Sequence, residues 1–140
     1  MALSPTALCV SMPTDLELYR AEMTGDSDQW ERALETRLKQ LGIAYIRQYK
    51  FALDWTPPRA WVADFAICEE GSGAVKFLVE VDGGTFKTGG GGHNRAVAYQ
   101  KDRERDAEAM CHGLYTLRVV PKQIENDQAI GWIERMVGRM

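Results

Sequence analysis

Three carboxylates in the middle of the chain are the side chains most able to do chemistry. Asp64 lies in the run Ala60–Cys68, and Glu80 and Asp82 lie in Lys76–Gly84. Both runs are rich in branched and aromatic residues and are bounded by Gly or charge, so both read as strands. An unpaired carboxylate inside a buried strand is costly. Two neighbouring strands that both carry acid therefore point to a shared task, and oxygen ligands converging on a hard divalent cation are the simplest one. Alternation along a strand puts Glu80 and Asp82 on one face, within reach of an ion held against Asp64. The plainer alternative is that each acid solvates the end of an edge strand.

The rest of the composition narrows the chemistry. With only His93 and His112, there is little material for a histidine-rich metal site or a histidine-dependent triad, and no serine sits in a nucleophile elbow. Cys9, Cys68 and Cys111 are odd in number and lack zinc-ligand spacing, as expected of free thiols in a reducing cytoplasm. No apolar stretch approaches the roughly 20 residues of a membrane span. Met1–Met12 lacks a basic segment followed by a long apolar one, so no secretory signal is expected there. The net charge of −3 does not suit a protein that simply coats DNA. Its distribution is uneven, however. Residues 1–36 carry seven acids against two bases, and residues 83–122 carry seven bases against four acids. A basic second half beside an acidic site is compatible with a phosphodiester substrate, and equally with a solvated basic helix.

At 140 residues the chain is long enough for one domain with a core. Residues 1–25 read as an extension and residues 26–140 as the domain. A helix capped by Asp26 or Ser27 runs to about Leu41, with Trp30, Leu34, Leu38 and Leu41 as its apolar stripe and Gly42 as its stop. Ile43–Leu53 reads as a strand. The two acidic strands follow, joined by a hairpin loop at residues 69–73. Residues 83–94 hold six of the thirteen glycines and read either as a flexible linker or as a loop closing over substrate. A helix over residues 94–112 turns Val97 or Ala98, the stem of Lys101, Ala109 and Met110 inward. Leu114–Val120 is a fourth strand. Pro121–Val137 is a last helix with Ile124, Ile130, Ile133 and Met136 inward. The order αβββαβα predicts an α/β fold: a three-strand meander, then a crossover helix that makes the fourth strand parallel to a central one, in a mixed four-stranded sheet flanked by helices. Trp55, Trp61 and Trp132 read as core or interface groups rather than as base-stacking ones.

This order, with acid on the first helix, acid on the second strand and Glu-x-acid on the third, resembles the PD-(D/E)xK nuclease superfamily and its restriction-endonuclease-like core over residues 27–137. Glu31-Arg32-Ala33-Leu34, Leu38 and Leu41-Gly42-Ile43 look like the first helix of archaeal-type and phage Holliday-junction resolvases. Arg59–Phe65, then Val79–Gly84, His93, Asp102, Arg105, Gly113 and Leu117-Arg118, resemble small bacterial and phage endonuclease domains related to very-short-patch repair enzymes. The resemblance implies a DNA endonuclease dependent on Mg²⁺, with Mn²⁺ able to substitute, and without an organic cofactor. It implies branched DNA as substrate and a homodimer, in a bacterial or phage-infected cytoplasm, with no membrane partner. The other readings are a nicking endonuclease of repair or restriction type, and a non-catalytic DNA-binding module on the same fold. Asp64, Glu80 and the Val81 carbonyl would hold the ion. Asp82 would bind that ion, a second one or a water. Glu31, or Glu35 one turn on, would hold a water or a second ion. His93 would act as acid, base or phosphate ligand. Lys87, Arg95, Lys101, Arg105 and Arg118 would contact DNA, with Asp102–Arg105 pairing and an Arg118 brace as the structural alternatives. The chain departs from the superfamily where Glu-x-Lys is expected, since it reads Glu80-Val81-Asp82. Lys87, His93 and Lys101 are the candidates for the missing cation.

Overall fold

The computed structural model describes residues 27–82 and 92–138, which leaves the 1–25 extension, Lys87 and the glycine-rich stretch outside the account. The first helix, α1 (Ser27–Gln40), starts with Asp28 and ends with Arg37 and Lys39, charges that complement the helix dipole. Trp30, Ala33, Leu34 and Leu38 are buried along one stripe. Leu41, expected to extend the stripe, is 37% exposed. The helix has already stopped there. Gly42 takes φ +66, its N–H bonds the Lys39 carbonyl, and the N–H of Ile43 bonds that of Leu38. This is a Schellman ending, which returns Ile43 to the core beside Leu38 and turns Leu41 out.

Strands β1 (Tyr45–Lys50), β2 (Val62–Cys68) and β3 (Val75–Val81) form the expected antiparallel meander. Helix α2 (Gly92–Cys111) crosses over, and β4 (Thr116–Val119) pairs parallel to β3, giving a mixed sheet in the order β1-β2-β3-β4. Phe65, Ile67, Phe77, Val79 and Val81 meet α1 and the C-terminal helices on one face, while Ala66 and Leu78 meet Ala109 of α2 on the other. The fold is α/β, a four-stranded mixed sheet flanked by helices.

The C-terminal helix is broken in two, α3 (Pro121–Glu125) and α4 (Gln128–Met136), where one was expected. Pro121 occupies the first turn and Gln123 Oε1 accepts the Val120 N–H at 3.0 Å, so α3 starts well. Asp127 then adopts φ 65, a left-handed conformation that Asp tolerates better than most residues, and Asn126 Oδ1 accepts the N–H of Gln128. Arg37 of α1 pairs with Asp127 and secures the break. Ile124, Ile130 and Ile133 are buried as expected, and Met136 packs against the same core.

Helix α2 is seated differently from expectation. Among its described side chains only that of Ala109 is buried; Val97, Ala98 and Lys101 are exposed, and Met110 is 65% exposed. Its sheet-facing side chains are charged instead, and they make ion pairs with the strands. Its end repeats the α1 device: Gly113 at φ +82 lets Leu114 N–H bond the Ala109 carbonyl. Cys68 is buried and Cys111 exposed. Among the described residues no helix is long and apolar enough to cross a membrane.

Candidate active site

The antiparallel register that sets Phe65 opposite Val79 brings the next residues, Asp64 and Glu80, together across the β2–β3 pair. Asp64 Oδ2 accepts the Val81 N–H at 2.8 Å, and the Asp64 carboxylate is close enough for its charge to act on Glu80. Glu80 is only 9% exposed, and its Oε1 has no hydrogen-bond partner. Arg105 Nη2 of α2 lies 3.0 Å from that oxygen, an ion pair without hydrogen-bond geometry. Burial first, and then the Asp64 charge, push the Glu80 carboxyl up to about 8, against the opposing pull of Arg105.

Glu31 of α1 is also buried, at 8% exposure, and burial followed by the Asp64 charge raises its pKa. It is held from β1: Arg47 Nη2 and Gln48 Nε2 both donate to Glu31 Oε1, at 3.1 and 2.9 Å. Glu35 is held by the same strand, through Arg47 Nη1 at 2.8 Å and the Tyr45 hydroxyl at 2.6 Å. Burial pushes Glu35 up, but Tyr45 and Arg47 outweigh it and hold the carboxyl below its ordinary range. Gln48 adopts φ 50. Arg47 and Tyr49 pair with Phe65 and Ala63, so Gln48 is the residue opposite Asp64, and it leaves the ladder there to reach Glu31. A non-glycine residue in the left-handed region inside a strand is strained and needs such compensation. The sequence places Tyr45, Arg47 and Gln48 in the first strand and gives none of them a site role. The available signal is the match between Glu31 and Glu35, one turn apart on α1, and Tyr45 and Arg47, two apart on β1.

Asp82 is taken up elsewhere. Arg118, in β4, donates to Asp82 Oδ1 at 3.2 Å and makes a two-pronged bond to Asp106 of α2, at 2.9 and 2.8 Å. Asp102 lies 3.9 Å from the same guanidinium, so it faces Arg118 rather than Arg105. Burial raises the Asp82 carboxyl while Arg118 works against the shift. Arg118 therefore braces α2 over β3 and β4. Replacing it with Met strands Asp106 and Asp82, and is expected to cost about 2–3 kcal/mol of unfolding free energy in urea denaturation. A cost under about 0.5 kcal/mol would show that the brace is immaterial.

The structure thus brings Asp64, Glu80, Val81 and Arg105 together, leaves Glu31 near enough to feel the Asp64 charge, and sets Asp82 and Arg118 beside them as a second pair. Lys101 is exposed. Lys87 and the side chains of His93 and Arg95 lie outside the described residues. Trp55 and Trp61 cluster with Phe51, and His112 stacks on Trp55 at 3.7 Å between ring centres; Trp132 packs on the core. Among the described residues no three His, Cys, Asp or Glu side chains converge as a ready-made ligand set. The donors present still fit a small hard cation. Mg²⁺ commonly uses one or two carboxylates and fills its remaining positions with water and substrate oxygens. Asp64, Glu80 with its unbonded Oε1, and the Val81 carbonyl supply that kind of set. Comparison with protein-family models, with curated proteins and with solved structures finds no match to this chain.

Proposed function

We propose that this protein is a divalent-metal-dependent DNA endonuclease with the restriction-endonuclease-like core of the PD-(D/E)xK superfamily. Its substrate is branched DNA, with Holliday-junction resolution by a homodimer as the specific reading. The observation that carries the proposal is the Asp64–Glu80 pair: two carboxylates at facing positions of adjacent strands, one of them buried with an unbonded oxygen and pushed up to about 8 by burial and by the charge of the other. Such a pair needs a proton or a cation between its members, and a cation there suits phosphodiester chemistry.

Hydrolysis adds the oxygen of water to phosphorus and breaks the bond from phosphorus to one sugar oxygen. One proton leaves the water and one reaches the departing oxygen. A divalent cation at Asp64, Glu80 and the Val81 carbonyl would neutralise phosphate charge and make water a stronger acid. The chain's own groups do the rest. Arg47 and Gln48 aim Glu31 toward the pair. Arg118 removes Asp82 from competition for Arg105. Lys101 and Arg105, with Lys87 and Arg95, draw the DNA backbone in. His93 is the candidate proton carrier. The branched substrate rests on the α1 resemblance, and the dimer on the need for two symmetric cuts.

The test is a panel of end-labelled DNAs of matched sequence with Mg²⁺ or Mn²⁺: a four-way junction, a duplex, a mismatch and a flap. Paired symmetric cuts in the junction support the resolvase. Cuts confined to duplex or mismatch move the protein to a repair or restriction nickase. Binding without cuts in any substrate sinks the enzyme reading in favour of a non-catalytic module.

A further inference from the structure

The sequence Glu80-Val81-Asp82 puts an acid where a cation is expected, and the described cations differ sharply in how fully they are engaged. Arg118 is bound on three sides by Asp82 and Asp106. Arg47 is bound by Glu31 and Glu35. Lys101 is exposed and one turn of α2 away from Arg105. Arg105 stands nearest the Asp64–Glu80 pair, with the charge of Arg118 acting on Glu80 from farther off, and few hydrogen bonds fix its head. Its Nη2 makes an ion pair with Glu80 Oε1 at 3.0 Å without hydrogen-bond geometry, and its Nη1 reaches the Val62 carbonyl at 3.4 Å. Its backbone, in contrast, is fixed. Arg118 grips Asp106, the next residue, and faces Asp102, one turn earlier. A guanidinium has five donors in a planar fork that matches phosphate oxygens. Arg105 thus combines an anchored base, a loosely held head and an address at the carboxylate pair.

We propose that Arg105 is the catalytic cation of this site: it occupies Glu80 when no metal is bound, yields that oxygen to an incoming divalent cation, and turns its guanidinium to the non-bridging oxygens of the phosphodiester. The inference rests on the nuclease reading and assigns the part of the missing lysine to α2. It carries a two-sided consequence. Arg105 competes with metal for Glu80, so removing it tightens metal binding, yet it stabilises the reacting phosphate, so removing it slows the reaction.

The full-length protein is tested as wild type, Arg105→Met and Arg105→Lys, by calorimetric titration with MnCl₂ and by single-turnover cleavage of the best labelled DNA at saturating Mn²⁺. Arg105→Met is expected to bind Mn²⁺ at least as tightly as wild type while its cleavage rate falls by about 100- to 1,000-fold. Arg105→Lys should recover part of that rate. Thermal unfolding of each variant confirms that it is folded; should Arg105→Met fail to fold, Arg105→Gln takes its place, and a wild-type cleavage rate in that variant overturns the proposal. Weaker Mn²⁺ binding by Arg105→Met, or a rate within about threefold of wild type, also overturns it while leaving the nuclease reading intact. A wild-type protein that neither binds Mn²⁺ nor cleaves overturns both.

Discussion

Glu80→Gln is expected to raise the thermal midpoint of the metal-free protein at pH 8 by on the order of 5–10 °C. The sign follows from linkage. Glu80 has its folded-state pKa raised from 4.5 to about 8 by burial and by Asp64, so between those values the folded state holds a proton that the unfolded chain has lost. Stability therefore falls as pH rises from about 4.5 to about 8. Below that window the acid is neutral in both states and costs nothing. Glutamine keeps the shape and is neutral throughout, so the fall should flatten in the variant. Glu31 is raised for the same reasons and leaves a smaller slope of the same sign. Millimolar Mn²⁺ should raise the wild-type midpoint at pH 8 by binding only the folded state, and should leave Glu80→Gln almost unmoved. Thermal scans from pH 5 to 8.5, with and without Mn²⁺, measure all of this. A variant no more stable than wild type at pH 8 would mean that Glu80 is comfortably ionised where it lies.

Arg47→Met is expected to cost about 3–5 kcal/mol of unfolding free energy. Arg47 is the shared partner of Glu31 and Glu35, through separate nitrogens, and its guanidinium also sits 5.1 Å from the centre of the Phe65 ring. Deleting one member of a largely buried charge network leaves its partners desolvated and unpaired, which costs more than the pair was worth. Methionine fills much of the space, so the loss reports on charge rather than on a cavity. Urea unfolding measures it. Arg47→Met combined with Glu31→Gln should recover part of the loss, because Glu31 supplies part of the penalty. A single-variant cost under about 1 kcal/mol would show that Glu31 and Glu35 are adequately solvated without Arg47.

The legible parts of this molecule are those where one local signal decides the outcome. The spacing of Trp30, Leu34 and Leu38 and the stop at Gly42 define α1. Branched, alternating runs define the meander, and a crossover helix makes β4 parallel. Asp64 and Glu80 are legible as a pair because acid stands out in apolar strands. Other features depend on long-range partners. Helix α2 has almost no apolar stripe, since Asp102, Arg105 and Asp106 face the strands as ions, and composition alone reads such a helix as solvated. Asp82 resembles Glu80 in sequence but not in surroundings, because Arg118 arrives from β4 to claim it. The left-handed turn at Gln48 is invisible in a strand-like run, as it is sustained by Glu31 seventeen residues away. The break at Asp127 is secured by Arg37, ninety residues away, and without that contact the apolar spacing of Ile124, Ile130 and Ile133 reads as one helix.

The central claim is that Asp64 and Glu80 form a cation-dependent centre for phosphodiester hydrolysis. Its most direct test is the single-turnover cleavage rate of labelled DNA at saturating Mg²⁺ for wild type beside Asp64→Ala and Glu80→Ala, each checked for folding by thermal unfolding. The account predicts metal-dependent cleavage by wild type, abolished by chelation, and a fall of about 1,000-fold or more in each variant. Cleavage that persists in a folded Asp64→Ala or Glu80→Ala protein, or that is indifferent to chelation, would contradict it.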